Sequence, residues 1–152
     1  MTAPVASVLC LFCEDIRAER TGQDTIVGTI PDNLSVGQLP MPKAQPLLPK
    51  LGVYLRMNFH TSEPKPKDVS ARVLNADGSV LNQTIWAADI IDKGFADAKA
   101  NQMPLTGLLM KVVLSPIPIS PGKITAYITV DGTDYLAGAL NIIAVEAPGP
   151  SE

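Results

Sequence analysis

Apolar and polar residues alternate with a period of two along much of this chain. Over residues 51–60 the odd positions Leu51, Val53, Leu55, Met57 and Phe59 are apolar, while Tyr54, Arg56, Asn58 and His60 carry polar atoms. Successive side chains of a strand point to opposite faces, so this segment reads as a strand with one packed and one wet face. Ile124, Ala126, Ile128 and Val130 alternate in the same way with Thr125, Tyr127, Thr129 and Asp131. The pattern predicts further strands over 69–74, 80–87, 106–114 and 135–145. Turn chemistry separates them. Thr21-Gly22 closes a first hairpin between the opening strand and residues 25–34, Asn75-Ala-Asp-Gly78 supplies Asx side chains and a glycine, and Asp131-Gly132 is a direct hairpin signal. Pro116, Pro118 and Pro121 stop the run that ends at Leu114, because proline donates no hydrogen bond within a central strand.

This spacing predicts an all-β fold: a single antiparallel, immunoglobulin-like β-sandwich of about eight strands. The last hairpin, 123–130 with 135–144, is apolar and uninterrupted and is expected near the sheet centre. Two connections are not tight turns. Residues 31–49 contain five prolines with apolar residues between them, which suits an extended crossover between sheets. Residues 89–101 are the sole helix candidate, of one or two turns, with Gly94 weighing against a longer one. One domain over 1–146 and a flexible tail over 147–152 follow from this division.

The opening strand departs from the pattern. Val5, Leu9 and Leu11 fall on one face and Val8, Cys10 and Phe12 on the other, so neither face is polar. An antiparallel sandwich strand ordinarily keeps one face wet. Either the apolar crossover 39–48 covers the outer face, or another protein does. The candidate interface residues are therefore Leu9, Leu11, Phe12, Leu39, Met41, Leu47 and Leu48.

Composition narrows the function classes. The chain is 152 residues long, 46% hydrophobic and 18% charged, enough to bury one core. Its net charge of −3 provides no broad positive field for a phosphate backbone, so nucleic acid is not an expected partner. The apolar run 5–13 falls far short of the roughly 20 residues that span a bilayer, so no membrane is expected. No basic signal-peptide start is visible, so the expected location is the cytoplasm, or a phage particle made there, with reduced cysteines.

The order "CEDIRAE", a glycine turn, "IVG", a proline-rich link ending "LPKL", and later "PGKITAYITVDG" resembles a family of small uncharacterised proteins of bacteria and their phages. The resemblance runs from about Leu9 to Val145. It implies an immunoglobulin-like β-sandwich and supplies no catalytic residues.

The chemical candidates are few. Cys10 and Cys13 have the spacing of a redox or zinc half-site, yet on a strand residues three apart point to opposite faces. A zinc site commonly needs four ligands, and the chain has two cysteines and one histidine, His60. Glu14, Asp15, Arg17, Glu19 and Arg20 read as a solvated hairpin end rather than an acid–base pair. Asp89, Asp92 and Asp97 lack the dense spacing of a calcium loop. No G-x-S-x-G elbow and no glycine-rich phosphate loop occurs, and Trp86 reads as a core or rim residue. The expected function is a non-catalytic interaction or assembly module, with no cofactor and with a protein partner or self-association. The alternatives are a thiol redox or metal-dependent enzyme at Cys10 and Cys13, and a sandwich that binds a small ligand or calcium.

Overall fold

The computed structural model describes residues 5–37 and 47–145. The strands are β1 (Val5–Ala18), β2 (Asp24–Ile30), β3 (Asn33–Gly37), β4 (Leu47–Leu48), β5 (Leu51–His60), β6 (Val69–Leu74) and β7 (Val80–Trp86). After α1 (Ala88–Ala100) come β8 (Leu105–Leu114), β9 (Ile117–Pro118), β10 (Gly122–Val130) and β11 (Thr133–Val145). One sheet, here sheet A, has the order β2-β1-β5-β8; the facing sheet B has the order β3-β11-β10-β6-β7; β4 and β9 form a short separate pair. The expected all-β sandwich is present, with β10 and β11 inside sheet B as their apolar sequence requires.

Alternation and burial coincide. Leu51, Val53, Leu55, Met57 and Phe59 of β5 are at most 1% exposed, and Ile124, Ala126, Ile128 and Val130 of β10 meet them from the other sheet. Each such side chain, fully buried, stabilises the fold by about 1.5–3 kcal/mol. The turns follow the predicted chemistry. Asp131 and Gly132 both have positive φ, as a two-residue type I′ hairpin requires, and the Asp131 carboxylate accepts hydrogen bonds from the amides of Lys67 and Asp68. Asn75 is buried but satisfied: its side-chain amide donates to the Pro118 carbonyl (2.9 Å) and accepts from the Ala76 amide (2.8 Å), tying the β6–β7 turn to β9.

Four features differ from the sequence expectation. Residues 25–34 are not one strand: at Pro31-Asp32 the chain leaves sheet A and enters sheet B, so the crossing is made at the very start of the proline-rich stretch. There β3 runs parallel to β11, an exception to the expected antiparallel sandwich that local patterning cannot reveal. Helix α1 has 13 residues, longer than one or two turns. Ile91, Phe95 and Ala98 form its buried stripe, Phe95 packs on Phe59 with ring centroids 6.2 Å apart, and the Gly94 carbonyl accepts a hydrogen bond from Thr106 Oγ1 (3.1 Å). Tertiary packing thus outweighs the low helix propensity of Gly94. Finally, the register of β1 against β5 shifts between Val5 and Ser7. An inserted residue reverses the facing of what precedes it, so Val5 packs on the core and does not share a face with Leu9.

Candidate functional site

The two thiols are separated by the sheet itself. Cys10 turns inward toward β11, where a Cβ on Gly138 would lie 2.9 Å from its sulfur; Cys13 lies over Gly52, whose Cβ would come within 2.6 Å of that sulfur. Both are free, and Cys13 is fully buried. Burial pushes the Cys10 thiol up to about 11, and burial also raises Cys13, so both stay protonated near neutral pH and are weak nucleophiles. The glycines at 52 and 138 are the structural counterparts of these sulfurs: each gives up its side chain to make room for a cysteine.

The charged cluster after Cys13 is a surface network. Partial desolvation disfavours ionised Asp15, but hydrogen bonds from Lys50, Arg17 and the Ile16 amide outweigh it and lower its pKa. Glu19 accepts from Thr25 Oγ1 at 2.7 Å, an ordinary cross-hairpin contact. Asp92 pairs with Lys65 at 2.7 Å, and Asp89 and Asp97 stand exposed on the same helix. Among the described residues no group of three or more His, Cys, Asp or Glu gathers as a metal requires, and no helix is long and apolar enough to cross a membrane.

Clefts are small. One of about 190 Å³ is lined by Ile16, Ala18, Asp24, Lys111, Val112 and Val113. β1 and β2 are not neighbours of β8 in the sheet, so this cleft, the Lys111–Asp24 ion pair (2.7 Å) and the approach of Ile16 to Gly52 show the β1–β2 hairpin folding back across β5. A second cleft of about 140 Å³ lies beside Ser70, Ile85 and Thr129 on sheet B. Both fall below the roughly 300 Å³ at which small-molecule pockets begin.

The outer face of sheet A is different in kind. Leu9 is paired across β1 and β5 with Arg56, and Arg56 across β5 and β8 with Leu109; the next row is Leu11, Tyr54 and Lys111. Leu9 is 47% exposed, Leu109 37% and Leu105 38%, while Leu11 and Tyr54 are half-buried. Leu11 and Tyr54 are direct cross-strand neighbours, and Leu9 and Leu109 flank Arg56 on either side. On sheet B, Ile85 and Leu136 are more exposed, but Ile85 lies opposite Ser70 and Leu136 opposite Tyr127. Arg72 there stacks on Tyr127 (5.2 Å) and pairs with Asp134 (3.0 Å), making that face polar. Isolated surface hydrophobes are normal; two leucines flanking an arginine, beside a Leu11–Tyr54 pair, are not isolated.

Arg56 is held in place within this row. Its Nε donates to Asn58 Oδ1 (3.1 Å), and Asn58 Nδ2 donates to Ser7 Oγ (2.9 Å). A Cβ on Gly107 would lie 2.9 Å from Nε and 3.0 Å from Nη2, so the absent side chain is what lets the guanidinium lie across β8.

The expected interface residues therefore divide. Leu9 and Leu11 belong to this face. Phe12 is 3% exposed in the core between the sheets and offers nothing to a partner, because a strand aims alternate residues inward. Leu48 packs on the core from β4, and Leu47, 58% exposed, pairs with Pro118 of β9, away from the Leu9 row. Leu39 and Met41 lie outside the described residues, as does the tail 147–152. Arg56, Asn58, Gly107 and Leu109 were not singled out from the sequence. Their significance depends on the pairing of β5 with β8, whose partners lie some fifty positions apart.

A family of unknown function, DUF6941, matches residues 8–143. The chain belongs to that family. No curated protein matches it. Among solved structures, the chain is similar to the CARDB domain of a Pyrococcus furiosus protein in complex with di-metal ions, at 10% identity and a TM-score of 0.37, over 95% of this chain and 100% of that one. A likeness of that size says nothing about activity, and the DUF6941 family brings no assigned chemistry to the residues above.

Proposed function

We propose that this DUF6941 member is a non-catalytic interaction or assembly module whose working surface is the outer face of sheet A. The observation that carries the reading is the row Leu9–Arg56–Leu109, exposed on three adjacent strands, with the half-buried Leu11 and Tyr54 beside it. Covering such side chains with another protein removes apolar area from water, at about 25 cal/mol per Å². The protonated, separated thiols support this reading over a redox enzyme.

The test compares wild type with a Leu9→Lys/Leu109→Lys variant expressed in the source cells. Both side chains already face solvent, so the variant retains its thermal melt. Wild-type chain in a cell extract elutes within an assembly larger than itself, and the variant elutes as the free chain. Identical elution of the two, with the fold intact, overturns the proposal.

A further inference from the structure

The charge distribution over this face, taken with the reading above, specifies the partner's chemistry. Although the chain carries a net charge of −3, residues 5–13 of β1, all of β5 and all of β8 contain no Asp or Glu. Within these segments the cations are Arg56 and Lys111. Lys111 is neutralised by Asp24. Among the described residues Arg56 has no carboxylate partner; its Nε is engaged by a neutral amide, so the Nη groups remain for an incoming group. Two copies of this face brought together would set Arg56 against the acid-free segments 5–13, 51–60 and 105–114, with Asp24 already paired to Lys111, which disfavours a face-to-face homodimer.

We propose that the outer face of sheet A receives a segment of a different protein in which a carboxylate is flanked by apolar side chains, the carboxylate meeting Arg56 and the apolar groups covering Leu9 and Leu109. A guanidinium offers a planar fork that matches a carboxylate, and it is oriented in advance here by Asn58, Ser7 and the space at Gly107. Less side-chain freedom is then lost on binding.

The experiment is an NMR titration of isotope-labelled protein with a synthetic extended peptide in which leucines alternate with threonines around a central glutamate, and with its glutamine and lysine counterparts. The glutamate peptide shifts resonances of Leu9, Arg56 and Leu109 and binds about tenfold more tightly than the glutamine peptide, the usual effect of a charge-assisted hydrogen bond. Arg56→Gln removes that preference, and Arg56→Lys retains part of it; a thermal melt confirms that each variant is folded. Equal binding of the glutamate and glutamine peptides, both lost in the Leu9→Lys/Leu109→Lys variant, overturns the carboxylate assignment and leaves the interaction surface standing. Shifts confined to other surfaces, or no binding by any peptide, overturn the assignment, and the extract elution then decides the broader reading independently. Arg56-dependent binding to phosphatidylglycerol vesicles without peptide binding also overturns it, by assigning the face to a lipid surface.

Discussion

Replacing Gly138 by alanine tests the account of the sheet interface through the sign of its effect. Gly138 lies on β11 opposite Ala126, with an ordinary negative or extended φ, so its conformation does not require glycine. On backbone grounds alone, alanine within a strand stabilises by about 0.5–1 kcal/mol. The packing says the reverse. The new Cβ would stand 2.9 Å from Cys10 Sγ, 3.0 Å from Cys10 Cβ and 3.4 Å from the Phe12 ring. Phe12 has little room to retreat, because it is 3% exposed between two sheets, and Cys10 is half-buried beside it. Overpacking of this kind costs about 1–3 kcal/mol, which outweighs the backbone gain. In a domain of this size the result is a fall in Tm of about 2–4 °C per kcal/mol. Urea unfolding monitored by Trp86 fluorescence reads it as a lowered midpoint with an unchanged slope. Because the sulfur is the nearest atom, Cys10→Ala in the same chain recovers part of the loss, with a coupling of about 0.5 kcal/mol or more. A Gly138→Ala protein more stable than wild type, or a double variant showing no coupling, would refute this reasoning.

Other expected outcomes follow from the same contacts. Asn75→Ala leaves the Pro118 carbonyl without its donor and costs about 1–3 kcal/mol in urea unfolding. Phe12→Ala opens the core beside Gly138 and costs about 3–5 kcal/mol, whereas Leu9→Lys, three positions along β1 and on the opposite face, stays within about 0.5 kcal/mol of wild type. The Cys10 pKa is raised from 9.0 to about 11, so the folded state holds its proton longer than the unfolded state. The associated stability is complete below about pH 9 and is lost as pH rises from there through about 11; Cys10→Ala flattens that decline in denaturant midpoints. Native protein at pH 8 reacts with a thiol reagent only as fast as it opens, and labelling both cysteines rapidly without unfolding would contradict the burial described here.

The strands were legible because one face of each is buried, which writes a period of two directly into the sequence; β5 and β6 match their predicted limits residue for residue. The Asp131-Gly132 hairpin was legible for a local reason, its requirement for positive φ. What escaped depends on contacts between distant segments. The parallel β3–β11 pairing, the change of sheet at Pro31-Asp32 and the extra turns of α1 are all decided by what packs against them. The candidate surface was half legible. The two-faced character of β1 pointed to Leu9 and Leu11, but it also put Phe12 in the interface set, because alternation alone does not say which face turns inward. The shared lack of acidic residues in 51–60 and 105–114 was visible in the sequence. It acquired meaning once the register set Arg56 beside Leu109 and over Gly107.

The most direct test of the central claim is photo-crosslinking in the source cells. A photoreactive residue is placed at Leu9 or Leu109 on sheet A, and at Ile85 or Leu136 on sheet B, all of them exposed. The account predicts a discrete protein adduct from the sheet A positions and none from the sheet B positions. Adducts from sheet B alone, or the same pattern from all four, would contradict it.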